Sequence, residues 1–456
     1  MRKVFFSACP SKWMICCLLF CLIGCNTGPK ESPSAPINGL SPYPLIEWWE
    51  LVYFHVAKQR IKPPVASRIY AYLGIAIYQS AVHGMEGYIS LEGQVNGLKN
   101  LPQPDDNLEY DWPTVIHSTL YLVVDELLSR SVHADENSFL VMRDKHLENR
   151  RSVISTEVFE RSTNFGTRLS ESLVEWIKED QFDDTRFNTF YKLPSRIKHP
   201  ERWEPTDINV EACEPYWSTL RPFVLQEEGA CHTPPAINFS DDKESPFAEM
   251  VEEILEYDKN LTEEERDIAL HWADDPGETA TPPGHWTYIM NYAIKQSHLD
   301  MEQASAMYAL TGIGIADAFI ASWYSKYRVN LVRPKTFIRE NYSDKKGWEP
   351  LVETPPFPEY TSAHAAVSQC AADILEGFLG ADYTLTDSTH FQIGLDPRLI
   401  TSFDAAAKEA GYSRLYGGIH YRFSIEAGFE QGSCVSARVL ERIQLKNDDN
   451  QPYFGQ

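Results

Sequence analysis

Thiols, positive charge, alternating apolar patterns and long apolar runs are all scarce in this chain, and each scarcity closes off a class of protein. Past residue 25 only Cys213, Cys231, Cys370 and Cys434 remain of the nine cysteines. None of them forms a Cys-x-x-Cys pair, which argues against a structural zinc site built on thiolates. Basic residues number 41 against 65 acidic ones, a formal net charge of −24. Such a surface repels nucleic acid and anionic lipid headgroups, so no nucleic-acid partner is expected. Strand-like alternation is rare, which excludes a large sheet. Beyond the leader no window is expected to supply the ~18 apolar residues of a membrane span. Past residue 45 there is no Gly/Ser linker and no internal repeat. One large domain over residues 45–456 is therefore expected, although the length alone would allow two or three.

The first residues follow a different plan. Residues 1–24 carry Arg2, Lys3 and Lys12, then an apolar run from Trp13 to Ile23, with no acid. That is the layout of a signal peptide, too short to span a bilayer. Leu22-Ile23-Gly24-Cys25 resembles a bacterial lipoprotein box, which implies lipid on Cys25 and an exported, membrane-tethered protein. Residues 25–44, rich in Pro, Ser and Gly, read as a flexible tether. In an exported chain Cys213 and Cys231, in a polar Pro-bearing stretch, are the expected disulfide. Cys370 and Cys434 sit in apolar helical patterns and are expected as buried free thiols.

Apolar residues recur at three- and four-residue spacing, which predicts helices over 46–59, 65–83, 112–130, 155–179, 247–257, 262–272, 304–329, 365–379, 402–410 and 424–440. The fold class is all-α, a large helical bundle. Residues 185–245, rich in Pro and aromatics, read as a long ordered excursion. The 304–329 helix holds Gly312, Gly314, Ala316, Ala318 and Ala321, small enough for close approach, and should be central.

Three segments carry chemistry. Lys326 is followed after six residues by Arg333-Pro334; Thr361-Ser362-Ala363-His364 precedes an apolar helix; Ser413-Arg414 is followed after five residues by His420. Lys and Arg match the charge of a tetrahedral oxyanion, and the Arg fork binds it in bidentate fashion. A helix N-terminus adds backbone donors, with Thr361 or Ser362 as its cap. Of two histidines, one can bond the central atom while the other moves protons. Arg414 and His420 are six apart, nearly opposite on a helix, but Gly417-Gly418 permits a turn that brings both to one pocket.

These segments resemble the signature of the superfamily shared by type 2 phosphatidic acid phosphatases and vanadium-dependent haloperoxidases, except that Ala363 stands where Gly is usual. Residues 317–323, 355–360, 272–275 and 281–286 are similar to haloperoxidase segments, so the likeness covers about 265–440. It implies vanadate as cofactor, with hydrogen peroxide and halide as partners. By the same resemblance Lys326, Arg333, Arg414, Ser362 and the Ala363 N–H hold the vanadate oxygens and His420 bonds vanadium. His364 is the acid–base group, Asp275 or its neighbour Asp274 orients it, and Trp323 and Phe357 lie at the halide pocket. Packing and a solvated turn are the ordinary alternatives for these aromatics and acids. His271, His285 and His390 show no metal-ligand spacing and are read as structural, with His285 a candidate to line the pocket.

The related phosphatases place an Asp four residues past the last His; here Ser424 stands there, able to accept from the imidazole but not to offset its charge. The expected activity is vanadate-dependent halide oxidation, iodide favoured because Ala363 and Ser424 relax the donor set. An acid phosphatase acting through a phosphohistidine at His420 is the alternative. The halide, the organic acceptor and the oligomeric state stay open.

Overall fold

The computed structural model describes residues 34–128, 136–188, 190–193, 195–207, 210–447 and 451. The leader and Cys25 lie outside these. Fourteen α-helices are present among the described residues: α1 Tyr43–Lys58, α2 Pro63–Ala81, α3 Trp112–Leu128, α4 Glu136–Arg151, α5 Thr156–Lys178, α6 Phe182–Arg186, α7 Pro246–Asn260, α8 Glu263–His271, α9 Thr281–Gln296, α10 Met301–Val329, α11 Pro334–Asn341, α12 Ala363–Leu379, α13 Phe403–Tyr416 and α14 Arg422–Arg442. Two short antiparallel strands, β1 Leu385–Asp387 and β2 Arg398–Ile400, pair Leu385 with Ile400. The all-α expectation holds. The helices that periodicity missed are α4, α6, α9 and α11. Helix α9 opens on Thr-Pro-Pro and is buried on nearly every side, so its apolar residues trace no stripe.

Helix α10 is the axis. It packs on α1, α2, α12 and α14, and Gly312 lies so close to α2 that a Cβ would sit 3.0 Å from the Ala71 Cα. Its mean hydropathy reaches 1.4 over 18 residues, and that window is wholly buried. The expectation that no segment has the length and composition of a span is thus corrected. Here the apolar surface is covered by neighbouring helices.

One continuous apolar core runs from Ile37 to Leu445, with a second cluster under α7 and α11. Ile37 is fully buried and its N–H donates to the Gly84 carbonyl at 2.9 Å. Gly39 N–H donates to Asp300 Oδ2 at 2.8 Å. The second half of the proposed tether is therefore docked on the body, because a single apolar anchor outweighs its Pro/Ser composition. The 185–245 excursion is held by Asp317 of α10, whose carboxylate accepts from the N–H groups of Phe223, Val224 and Leu225 at 2.7, 2.8 and 3.1 Å.

The disulfide joins Cys231 to Cys434, 203 residues apart with Cα atoms 5.7 Å apart. Cys213 is a buried free thiol, as is Cys370. The polar, Pro-bearing stretch pointed to Cys213 as the partner and the apolar pattern to a free thiol at Cys434; folding of α14 against the excursion brings Cys434 to Cys231 instead.

Candidate functional site

The three segments meet at the ends of four helices. Lys326 sits in the last turn of α10, which stops at Asn330 in a left-handed conformation, φ 57°. The chain then turns, and Arg333 is the residue before α11, with Pro334 at the first helical position. Ser362 caps α12, its Oγ accepting from Ala365 N–H at 3.4 Å. Ala363 is the first helical residue, so its N–H has no carbonyl partner within the helix and lies at the positive end of α12. Arg414 is in the last turn of α13, and Gly418, at φ 78°, reverses the chain to carry His420 back. The turn predicted from the glycine pair is what puts Arg414 and His420 in one place.

Lys326, Arg333, Ser362, Arg414 and His420 are all buried. Arg333 donates through Nε to the Phe357 carbonyl at 2.9 Å, and through Nη1 to the Ile419 carbonyl at 3.0 Å and to His420 Nε2 at 3.1 Å. A guanidinium can only donate, so His420 Nε2 carries a lone pair and the ring proton is on Nδ1. That Nδ1–H donates to Glu359 Oε1 at 2.7 Å, and the same oxygen accepts from Tyr421 N–H at 3.0 Å. The acid absent from position 424 is thus supplied by Glu359. Sequence reasoning missed it because an acid 61 residues from its imidazole leaves no spacing signal. Ser424 contributes its backbone carbonyl, which accepts from Ser362 N–H at 3.1 Å.

Lys326 departs from expectation. Its Nζ donates to the carbonyls of Pro358, Glu359 and Thr361 at 3.1, 3.0 and 2.5 Å, which uses its three protons on the loop before α12. Here it braces that loop and supplies charge rather than free donors. Arg414 donates through Nη2 to the carbonyls of Ala269 and Trp272 at 3.2 and 2.7 Å, at the C-terminal end of α8.

His364 is oriented by the backbone of Trp272. Of the two acids expected there, Asp274 acts on His364 through charge and not through a hydrogen bond. The Asp274 carboxylate serves His285, His390 and Thr279 instead, while Asp275 faces the charge of Arg414. Both acids sit in the loop after α8, where one sequence carries no directional information.

Burial sets the proton affinities. His420 and His364 are held well below the ordinary imidazole range, first by burial and then by Arg333 and Arg414 respectively. Lys326 is held well below its usual value by burial and Arg333. Arg333 and Arg414 fall to about 10, chiefly by burial, and stay charged at neutral pH. Burial lifts Glu359 to about 7 against the pull of Arg333 and Lys326, and lifts Asp275 to about 6.

Phe357 lies 4.9 Å from both Lys326 Nζ and Arg333 Cζ, ring centre to cation, and 5.0 Å from the Trp323 ring. Trp323 donates to the Cys213 carbonyl at 3.2 Å. Four side-chain atoms of the site are buried with no hydrogen-bond partner: Arg333 Nη2, His364 Nε2, Glu359 Oε2 and Ser424 Oγ. Unmet donors and a free imidazole nitrogen among two permanent cations and a helix start are the donor set an oxyanion such as vanadate takes. Vanadate fits the residues present.

A helical bundle that gathers cations around an imidazole with a free ring nitrogen defines an oxyanion-handling protein. Residues 306–448 match the family described as the VCPO second helical-bundle domain. A solved bacterial vanadium-dependent iodoperoxidase superposes with a TM-score of 0.83 at 31% identity, over 91% of this chain and all of that one. The chain belongs to the vanadium-dependent haloperoxidase family. A holo bacterial vanadium-dependent chloroperoxidase shares the fold, with TM-score 0.60 and 14% identity over 91% of this chain and 95% of that one. Vanadium chloroperoxidase of Curvularia inaequalis is 23% identical over 281 aligned residues covering 46% of each chain, so the match spans about half of that relative.

Proposed function

We propose that this protein is a vanadate-dependent haloperoxidase that uses hydrogen peroxide to oxidise halide, iodide best. The observation that carries the reading is the fixed tautomer of His420. Its Nδ1–H is committed to Glu359 and its Nε2 lone pair faces Arg333 Nη1, with Arg414 acting on the ring through charge. His420 would bond the metal; Arg333, Arg414, Ser362 and the Ala363 N–H would hold the oxygens, with Lys326 adding charge. When bound, vanadate supplies a Lewis acid that activates hydrogen peroxide toward halide without changing oxidation state. Glu359 raises the basicity of His420 and fixes its ring. His364 enters neutral, so its Nε2 takes a proton from the incoming peroxide and returns it to the departing product. Phe357 and Trp323 keep water from the halide side and hold it apolar.

Iodide gives up electrons most readily of the three common halides and asks least of the site. The relative with 31% identity is an iodoperoxidase. Both the low demand and this relative support iodide over bromide and chloride. One observation favours the phosphatase reading: the Glu359–His420 pair at 2.7 Å is also the arrangement a nucleophilic histidine needs. The test is steady-state turnover of apo-protein with peroxide and each halide, with and without vanadate. Vanadate-dependent iodide oxidation, with bromide slow and chloride inert, supports the proposal. Hydrolysis of phosphate monoesters inhibited by vanadate, with no halide turnover, replaces it with the phosphatase.

We further propose export and lipid anchoring through Cys25. The Cys231–Cys434 disulfide supports it, since such bonds persist in oxidising compartments. Cys25→Ser should move the protein from the membrane fraction into soluble form at unchanged specific activity.

A further inference from the structure

Behind Arg414, five residues with no role in the proposed reaction converge: His271 at the end of α8, Asp274 in the loop after it, His285 of α9, Asp387 of β1, and His390 just beyond β1. All five are buried. We propose that Asp274, His285 and His390 form a binding site for a divalent transition metal, zinc in the first instance, with Asp387 and His271 as its outer support.

Three observations carry the assignment. The first is spacing. His285 Nδ1 lies 3.0 Å from Asp274 Oδ2, His390 Nε2 lies 3.0 Å from Asp274 Oδ1, and the two ring nitrogens are 3.2 Å apart. Zinc bonds of about 2.1 Å, opened between a right angle and the tetrahedral angle, put their donor atoms about 3.0–3.4 Å apart. The second is the outer layer. A metal-bound imidazole ordinarily donates its other N–H to a carboxylate, and His285 Nε2 lies 2.7 Å from Asp387 Oδ2. Asp387 is itself held, by His271 Nε2 at 2.9 Å on one oxygen and by Thr389 N–H and Oγ1 at 2.9 and 2.6 Å on the other. The third is charge. Two carboxylates buried together need positive compensation, which one dication supplies. Two imidazoles and one carboxylate suit zinc and its neighbours rather than calcium or magnesium, which take oxygen shells.

The alternative set, His271, His285 and Asp387, fits less well. Its His285–Asp387 contact of 2.7 Å is that of a hydrogen bond, shorter than two ligands of one zinc. The sequence hid the site because its ligands lie at 274, 285 and 390, on a loop, a helix and a turn. No short motif joins them.

The experiment uses the full chain without a polyhistidine tag, stripped with chelator and titrated with zinc alone, followed by calorimetry, elemental analysis and thermal melting. The expected result is one zinc per chain and a melting temperature raised by zinc. His390→Ala and His285→Ala should each weaken binding roughly tenfold or more, and His271→Ala, acting through Asp387, by less. His390→Cys should restore it, and His420→Ala should leave it unchanged, which separates this site from the vanadate reading. Folded wild-type protein that takes up no zinc, or His390→Ala that binds as wild type, overturns the proposal and leaves a proton-linked network in its place.

Discussion

His420 and Glu359 form a buried pair, Nδ1 to Oε1 at 2.7 Å, in which the carboxylate decides which imidazole nitrogen carries the lone pair. Without it the ring could present either tautomer, and Arg333 alone would have to select one.

Glu359→Gln should keep the ring in place, because an amide oxygen still accepts from Nδ1, but remove the negative charge behind it. Vanadate affinity should fall about 10–100-fold, the usual cost of losing an outer-shell partner. Calorimetric titration of vanadate checks this; unchanged affinity would show that the charge of Glu359 contributes nothing to the ligand.

His420→Ala should abolish vanadate binding, while Arg333→Ala and Arg414→Ala each weaken it by ~1.5–3 kcal/mol, the worth of charged hydrogen bonds. Lys326→Met should behave differently. It strands three buried carbonyls, each costing ~1–3 kcal/mol, so stability as well as affinity should drop. Urea unfolding separates the two effects, and a Lys326→Met protein as stable as wild type would refute the bracing role.

His364→Ala should retain vanadate and lose ~10²–10⁴ of the turnover. The depressed proton affinities of His364 and His420 also predict how stability follows pH. Both bind protons more readily unfolded, with an ordinary value of 6.5. Their contribution is therefore full above that pH and lost as pH falls through and below it. Melting temperature against pH should show an acid loss, smaller in His364→Ala.

Cys434→Ser opens a loop of 203 residues, a constraint worth about 5 kcal/mol on chain-entropy grounds. The melting temperature should fall sharply, whereas Cys213→Ser, which breaks no bond, should change it little. Equal effects in the two variants would contradict the pairing.

Residue pattern alone determined the helical class, ten of the helices, and the three segments with their turn at Gly418. These are local properties: periodicity, capping at Ser362, and glycine in a left-handed turn. Tertiary structure decided everything that depends on residues far apart in the chain. It chose Glu359 rather than Ser424 to face His420, and set the Trp272 backbone beside His364. It also chose Cys434 rather than Cys213 for the disulfide, and brought His285 and His390 together around Asp274. In each case the partner is selected by which helix ends the bundle packs side by side, and burial then forces every polar group there to find whatever neighbour lies within reach.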